Sequence, residues 1–218
     1  MTHRQGLYIL VLGVLTFSMG CASLTEKSMS PGSSDDLSFC YAIFPAEPWE
    51  SVHKIEATIE GRAFSTLLGV TRGDPTEGWL HSFLLTPEGF ILFESELRHG
   101  KIRTLKAVAP FDSPAFTTGL MEDVTLLFLS PPGKPASWGK REDGTRTCLW
   151  ESPDGSRTQI KGSMELGWRI LRHNDRGDVT REVSLNGPFV HGLASHMELR
   201  AFKPASYKLR MTLVQAPP

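Results

Sequence analysis

From Lys54 onward the chain alternates apolar and polar residues. Ile55, Ala57 and Ile59 stand against Glu56, Thr58 and Glu60, the period of two expected of a half-buried strand. After Gly61 the run Arg62 to Val70 puts Phe64, Leu68 and Val70 on one side, and RGDPTEG (Arg72 to Gly78) breaks it. Trp79 to Leu85 reads as a strand with Trp79, Phe83 and Leu85 sharing a face. TPEG (Thr86 to Gly89) is a hairpin turn, and Phe90 to Leu97 is the partner strand. A turn at Arg98 to Gly100 leads into Lys101 to Val108. Period-two runs joined by short turns predict an antiparallel meander.

One stretch changes period. Ser113 to Leu129 (SPAFTTGLMEDVTLLFL) places Phe116, Leu120, Val124, Leu127 and Phe128 at helical spacing, with Glu122 and Asp123 read as the other face. Ser113 suits an N-cap, Pro114 suits the first helical position, and Pro131-Pro132-Gly133 stops the helix. Its apolar stripe predicts a helix laid across the concave side of a curved sheet. Pro45 and Pro48 forbid one long helix over Phe39 to His53 but leave room for a short one from Pro48 to Lys54.

Strands then resume at Thr145 to Glu151, Arg157 to Lys161, Met164 to His173, Asp178 to Leu185, Ser195 to Phe202 and Tyr207 to Val214. The expected fold is mainly β (α+β): a strongly curved antiparallel sheet, an open half-barrel of about 10–11 strands with one or two covering helices. Gly 20 and Pro 15 in 218 residues suit such a turn-rich chain. A net charge of -1 gives no basic field, so nucleic acid is not an expected partner.

The N-terminus speaks to location. His3 and Arg4 precede an apolar run, Leu7 to Phe17, too short to cross a bilayer comfortably but of signal-peptide length. Ser18, Gly20 and Cys21 follow, and this stretch resembles the bacterial lipobox, in which the Cys becomes lipid-modified. Residues 1–20 are then a lipoprotein signal peptide, and Cys21 is the lipidation site through which the chain joins a membrane. Ser18 departs from the aliphatic residue usual three positions before that Cys. An ordinary signal-peptidase cut, giving a soluble periplasmic protein, and an uncleaved anchor are the alternatives. Ala22, in place of the Asp that retains enterobacterial lipoproteins at the inner membrane, points by the same resemblance to the outer membrane, facing the periplasm. Ser-rich residues 21–38 read as a flexible tether, and 39–218 as the domain.

Cys40 and Cys148 remain. In an oxidising compartment they either form a disulfide, contributing about 3–5 kcal/mol by closing a long loop, or stay as two buried thiols. No C-x-x-C motif supports thiol–disulfide catalysis. His191 and His196 flank Gly192 at a spacing that suits no ligand pair, and H-E-x-x-H and G-x-S-x-G are absent. Asp154-Gly155-Ser156 reads as a turn. Glu94 and Glu96 share a strand face, as two solvated glutamates commonly do. The expectation is a protein without catalysis, metal or cofactor.

The lipobox candidate, the hairpin LLTPEGFILFESELRHGKI (Leu84 to Ile102), the helix GLMEDVTLLFL (Gly119 to Leu129) and the strand YKLRMTLVQA (Tyr207 to Ala216) together resemble the Lol-type lipoprotein carriers LolA and LolB, and especially small LolB-like outer-membrane lipoproteins. The resemblance runs over most of Lys54 to Ala216. It implies an eleven-stranded half-barrel closed by helices, whose apolar cavity receives acyl chains. In LolB a leucine-tipped loop helps to pass cargo into the membrane; the turn here, Thr86 to Gly89, carries no leucine at its tip. Because an open barrel does not fill its own interior, inward positions line a cavity. Ile55, Phe64, Leu68, Phe83, Leu85, Ile91, Phe93, Leu166, Trp168, Leu209 and Met211 are the candidate lining, with ordinary core packing as the alternative for each. Two functions follow. One is a carrier or acceptor of a lipid or lipoprotein acyl chain. The other is a structural lipoprotein with a dry core, engaging an envelope protein partner.

Overall fold

The computed structural model describes residues 30–31, 34–59, 61–141, 143–163 and 165–216; the side chains of Phe64 and of the residues before Leu37 are outside that description. Among the described residues the first strand is β1 (Ser30–Pro31), followed by a 3-10 helix (Ser34–Cys40). That helix begins within the stretch 21–38 expected as a tether. The signal peptide and Cys21 lie outside the described residues.

A first meander comprises β2 (Trp49–Ile59), β3 (Arg62–Asp74), β4 (Trp79–Leu85), β5 (Ile91–Arg98) and β6 (Lys101–Ala107). Helix α1 (Pro114–Phe128) follows. A second meander contains β7 (Ser137–Lys140), β8 (Arg146–Glu151), β9 (Arg157–Ser163), β10 (Gly167–His173), β11 (Val179–Val190), β12 (Leu193–Ala201) and β13 (Tyr207–Gln215). All join in one 13-stranded antiparallel sheet of order β1-β7-β8-β9-β10-β11-β12-β13-β2-β3-β4-β5-β6. The fold is the open, mainly β architecture anticipated from the alternation. The short helix considered for Pro48 to Lys54 is instead the start of β2, whose Trp49, Ser51 and His53 point inward in strand alternation.

This order explains why a helix lies in the sheet's hollow. The first meander ends at one edge, on β6, and the second begins near the other, on β7. The chain must cross between them, and α1 is that crossing. Ser113 caps it, its side chain accepting from the Phe116 N–H at 3.2 Å, and Pro114 supplies the first turn. Met121, Val124, Leu127 and Phe128 are buried against the sheet, each worth about 1.5–3 kcal/mol. At the helix's start Phe116 meets Phe93 edge-on at 5.7 Å; at its end Phe128 meets Trp49 at 5.0 Å.

The strands under α1 are shaped for a close neighbour. Ser51, Thr71, Ser82, Ser95 and Thr104 stand opposite one another across β2 to β6. The first four are buried. Beside them, a Cβ on Gly69 would come within 2.7 Å of Ile55 Cδ1, and one on Gly73 within 2.9 Å of the Trp49 ring. Small residues there let large side chains from β2 and the helix cover the sheet.

Elsewhere the 3-10 segment and the turn after it fill the concave side. Phe39, Cys40, Ile43 and Phe44 are buried. Phe39 stacks on Trp168 at 6.4 Å. Cys40 is bonded to Cys148 on β8 across 108 residues, with Cα atoms 5.9 Å apart.

Candidate functional site

Two hollows flank α1. The first lies beneath it and is apolar, bounded by Ile55, Phe93, Leu120, Leu127, Leu209 and Met211. Its volume is about 40 Å³. That accommodates a water or a few, and is far below the ~300 Å³ at which ligand pockets begin. The hollow expected on the concave face is thus largely occupied by the protein's own side chains.

The second is a cleft of about 610 Å³ on the other flank of the helix. Leu97 and Ile102, on β5 and β6, form one wall. Trp150, Thr158, Arg172 and Arg181, on β8 to β11, form the opposite wall. Met121, Leu126 and Leu129 lie between them. The cleft is therefore the gap in the open barrel, with α1 as its floor. Its cationic groups are partly committed: Arg172 donates to Thr158 Oγ1 at 2.9 Å and to Ser156 Oγ at 2.8 Å.

The floor is pinned by a buried polar cluster. Asp123 is 2% exposed. Its Oδ1 accepts from Arg181 Nε at 2.7 Å, and its Oδ2 accepts from the Tyr207 hydroxyl. Arg181 also donates to the Lys203 carbonyl at 2.5 Å. Burial pushes the Asp123 carboxyl up from its ordinary value, against the pull of Arg181 and Tyr207. Burial likewise raises the Tyr207 hydroxyl, reinforced by the neighbouring carboxylate. The expectation that Asp123 lies on the helix's polar face is corrected here. Leu120, Asp123 and Leu127 are spaced three and four apart, so Asp123 falls on the apolar stripe. That spacing was the available signal; Arg181 and Tyr207 gave none, being far away in sequence.

The candidate lining residues divide. Ile55, Phe93, Leu209 and Met211 border the small hollow. Trp168 is core beneath Phe39 and reaches neither hollow. Leu68 and Leu85 are paired with each other and with Lys54, on the outer face, because the inward positions of β3 and β4 are Leu67, Gly69, Thr71, Leu80, Ser82 and Leu84. Ile91 is carried to that outer face by the irregularity between Leu84 and Leu85, which pairs it with Leu85. Phe83 borders the small hollow, but its ring lies tilted against His81 at 4.3 Å, on the outer side. Leu166 is 75% exposed. It sits in the β9–β10 turn, where Gly167 adopts φ +76 and the strand's alternation has not begun. Phe64's side chain lies outside the described residues.

The remaining polar candidates have structural partners. Glu94 pairs with His81 at 3.0 Å, and Glu96 accepts from Trp79 Nε1 at 2.7 Å. Asp154 accepts from the backbone and side chain of Ser156 at 2.9 and 2.6 Å, a turn closure. Among the described residues no three His, Cys, Asp or Glu side chains are grouped to hold a metal, and no helix is long and apolar enough to cross a membrane.

Among solved structures, a LolA superfamily protein from Nitrosomonas europaea superposes with a TM-score of 0.54, covering 85% of this chain and 93% of its own at 5% identity. This chain has a LolA/LolB-like fold. Two others align less well, each with a TM-score of 0.38. A DUF1329 family protein from Desulfovibrio piger is 7% identical and covers 84% of this chain and 90% of its own. A candidate outer membrane lipoprotein-sorting protein domain from Vibrio parahaemolyticus is 9% identical and covers 83% and 89%. No family model and no curated protein sequence matches the chain. In the LolA/LolB-like fold described here, the gap between the sheet's edges, at about 610 Å³, is open on a ligand's scale.

Proposed function

We propose that this protein is a non-catalytic carrier or acceptor that holds an acyl chain of a lipid or lipoprotein, anchored through Cys21 to the outer membrane and facing the periplasm. The observation that carries this reading is the cleft of about 610 Å³ beside α1, within the 300–1,000 Å³ range of ligand pockets. Its apolar groups, Leu97, Ile102, Leu126, Leu129 and Trp150, suit a hydrocarbon chain, and each buried methylene contributes about 0.8 kcal/mol. The fold shared with a LolA superfamily protein supports the same reading. The acyl site moves from beneath the helix, where only about 40 Å³ is open, to the gap beside it.

Native mass spectrometry of the detergent-free domain tests this. Co-purified lipid, or stoichiometric uptake of a fluorescent fatty acid, is expected. A clean apo mass with no uptake rejects it. Labelling with radioactive palmitate, lost in Cys21→Ser, tests the anchor.

A structural or interaction lipoprotein is the second reading, favoured by the nearly filled hollow beneath α1. It would engage an envelope protein and take up no lipid.

A further inference from the structure

The sheet has two free edges, and they are built differently. One is β1, two residues long and ending in Pro31, a short edge that offers little backbone to pair with. The other is β6, Lys101–Ala107, seven residues without proline and exposed along almost its whole length. Among the described residues no other strand pairs with its outer side.

The charge of this edge is one-sided. Between Glu96 and Asp112 the chain carries Arg98, Lys101, Arg103 and Lys106 and not one Asp or Glu, in a protein of net charge -1. The β5–β6 register sets Lys101 against Arg98, Arg103 against Glu96 and Lys106 against Glu94. Arg98 binds Glu96 at 3.3 Å, and Glu94 binds His81 at 3.0 Å. Both glutamates are thus engaged by their own face of the sheet, and neither Lys101 nor Lys106 forms an ion pair among the described residues. The apolar groups are not masked either: Ile102, Leu105 and Val108 are 37–40% exposed. Ile102 stands opposite Leu97, and both line the cleft.

We infer that the β6 edge docks an extended acidic segment of a partner protein, which adds to the sheet as a further strand. Backbone groups of β6 supply the pairing, as in other edge-strand recognition. Lys101, Arg103 and Lys106 select acidic residues on the outer side. On the inner side Ile102 selects apolar residues, which would lie along the mouth of the cleft. Lysines on an edge commonly prevent edge-to-edge association. That role is compatible with this one, because charges that repel a second copy of the same edge attract a strand of opposite sign. The inference stands whether or not the cleft holds a lipid.

The test uses the full chain in detergent micelles and two synthetic peptides, one alternating Glu and Val, the other Lys and Val. The Glu–Val peptide is expected to bind, to slow amide hydrogen exchange across Lys101–Ala107, and to weaken as salt rises. The triple variant Lys101→Glu/Arg103→Glu/Lys106→Glu should lose about tenfold or more in affinity for it and gain binding of the Lys–Val peptide. Should that variant melt lower than the parent, Lys106→Glu alone carries the comparison, with a shift of about two- to threefold. Failure of the peptide to slow exchange on β6, or affinity unchanged by charge reversal, overturns the inference. So does sedimentation with vesicles of mixed neutral and anionic phospholipid that is lost in the triple variant while the peptide does not bind. That result would assign the cationic row to a membrane surface.

Discussion

Arg181 reaches from β11 to Asp123 on α1, donating from Nε to the carboxylate at 2.7 Å, and this ion pair is almost wholly withdrawn from water, the side chains being 10% and 2% exposed. It joins the crossing helix to the second meander, with Tyr207 of β13 closing the cluster. The helix is therefore positioned by specific polar bonds as well as by its apolar stripe. Removing one partner strands a buried charge, at a cost of about 3–5 kcal/mol. Asp123→Ala and Arg181→Ala should each lower the urea midpoint accordingly. The double change Asp123→Leu/Arg181→Leu should recover part of the loss. Chemical denaturation of the four proteins checks it, and strict additivity of the two single losses would show that the pair does not act as a unit.

His53 supplies a pH signature. It is 2% exposed, its ring lies 5.4 Å from Phe128, and its Nε2 has no hydrogen-bond partner among the described residues. Burial lowers its pKa from 6.5 to about 4, so the folded state holds it neutral. The unfolded chain takes up the proton near pH 6.5 and the folded chain only near 4. Stability is therefore complete above the higher value and falls as pH drops through the window between them, by about 3 kcal/mol in all. Replacing His53 with Leu should flatten that part of the melting-temperature profile; an unchanged slope would assign the acid sensitivity to other groups.

The disulfide gives a redox prediction. Cys40 and Cys148 close a span of 108 residues, and the bridge holds the 3-10 segment over Trp168. Reduction, or the Cys40→Ser/Cys148→Ser change, should destabilise the domain by about 4–5 kcal/mol on the loop-entropy account. It should also expose Trp168, which a red shift of fluorescence in the still-folded protein would report. A loss below about 1 kcal/mol would mean that Phe39, Ile43 and Phe44 hold the segment without the bridge.

Much of this architecture was legible in the alternation. The runs at Lys101, Arg157 and Tyr207 are β6, β9 and β13, and Ser113-Pro114 marks the helix start. Which face of a strand is inside was not legible. On β3 and β4 Leu68, Phe83 and Leu85 lie outside, while the covered face carries Gly69, Thr71 and Ser82 beside Leu67, Leu80 and Leu84. A strand that receives a helix closely needs small residues there, and period two alone reads those as the solvent side. The cleft was hidden for a related reason. It forms between edges distant in sequence, Ile102 on one wall and Trp150 on the other, so no local pattern announces it. Leu166 shows a third limit, an alternating position set in a turn. Spacing carries no pairing information, so the sequence alone does not distinguish a Cys40–Cys148 bridge from two thiols.

The cleft and the outer face predict different sensitivities. Leu126→Arg and Leu129→Arg place a cation on the cleft floor and should weaken uptake of a fluorescent fatty acid by about tenfold or more. Leu85→Ala and Ile91→Ala, on the outer face, should change it by less than about twofold. Equal losses in both pairs would mean that uptake follows overall stability rather than the cleft.

The central claim is that hydrocarbon lies in the gap between the sheet's edges. A fatty acid bearing a photoactivatable diazirine on its chain, incubated with the full-length protein and irradiated, tests it most directly when the labelled peptides are mapped by mass spectrometry. Labels on Leu97, Ile102, Leu126, Leu129 or Trp150, competed by unlabelled fatty acid, are the expected result. No competed label, or label confined to the outer face around Phe83 and Leu85, would contradict the account.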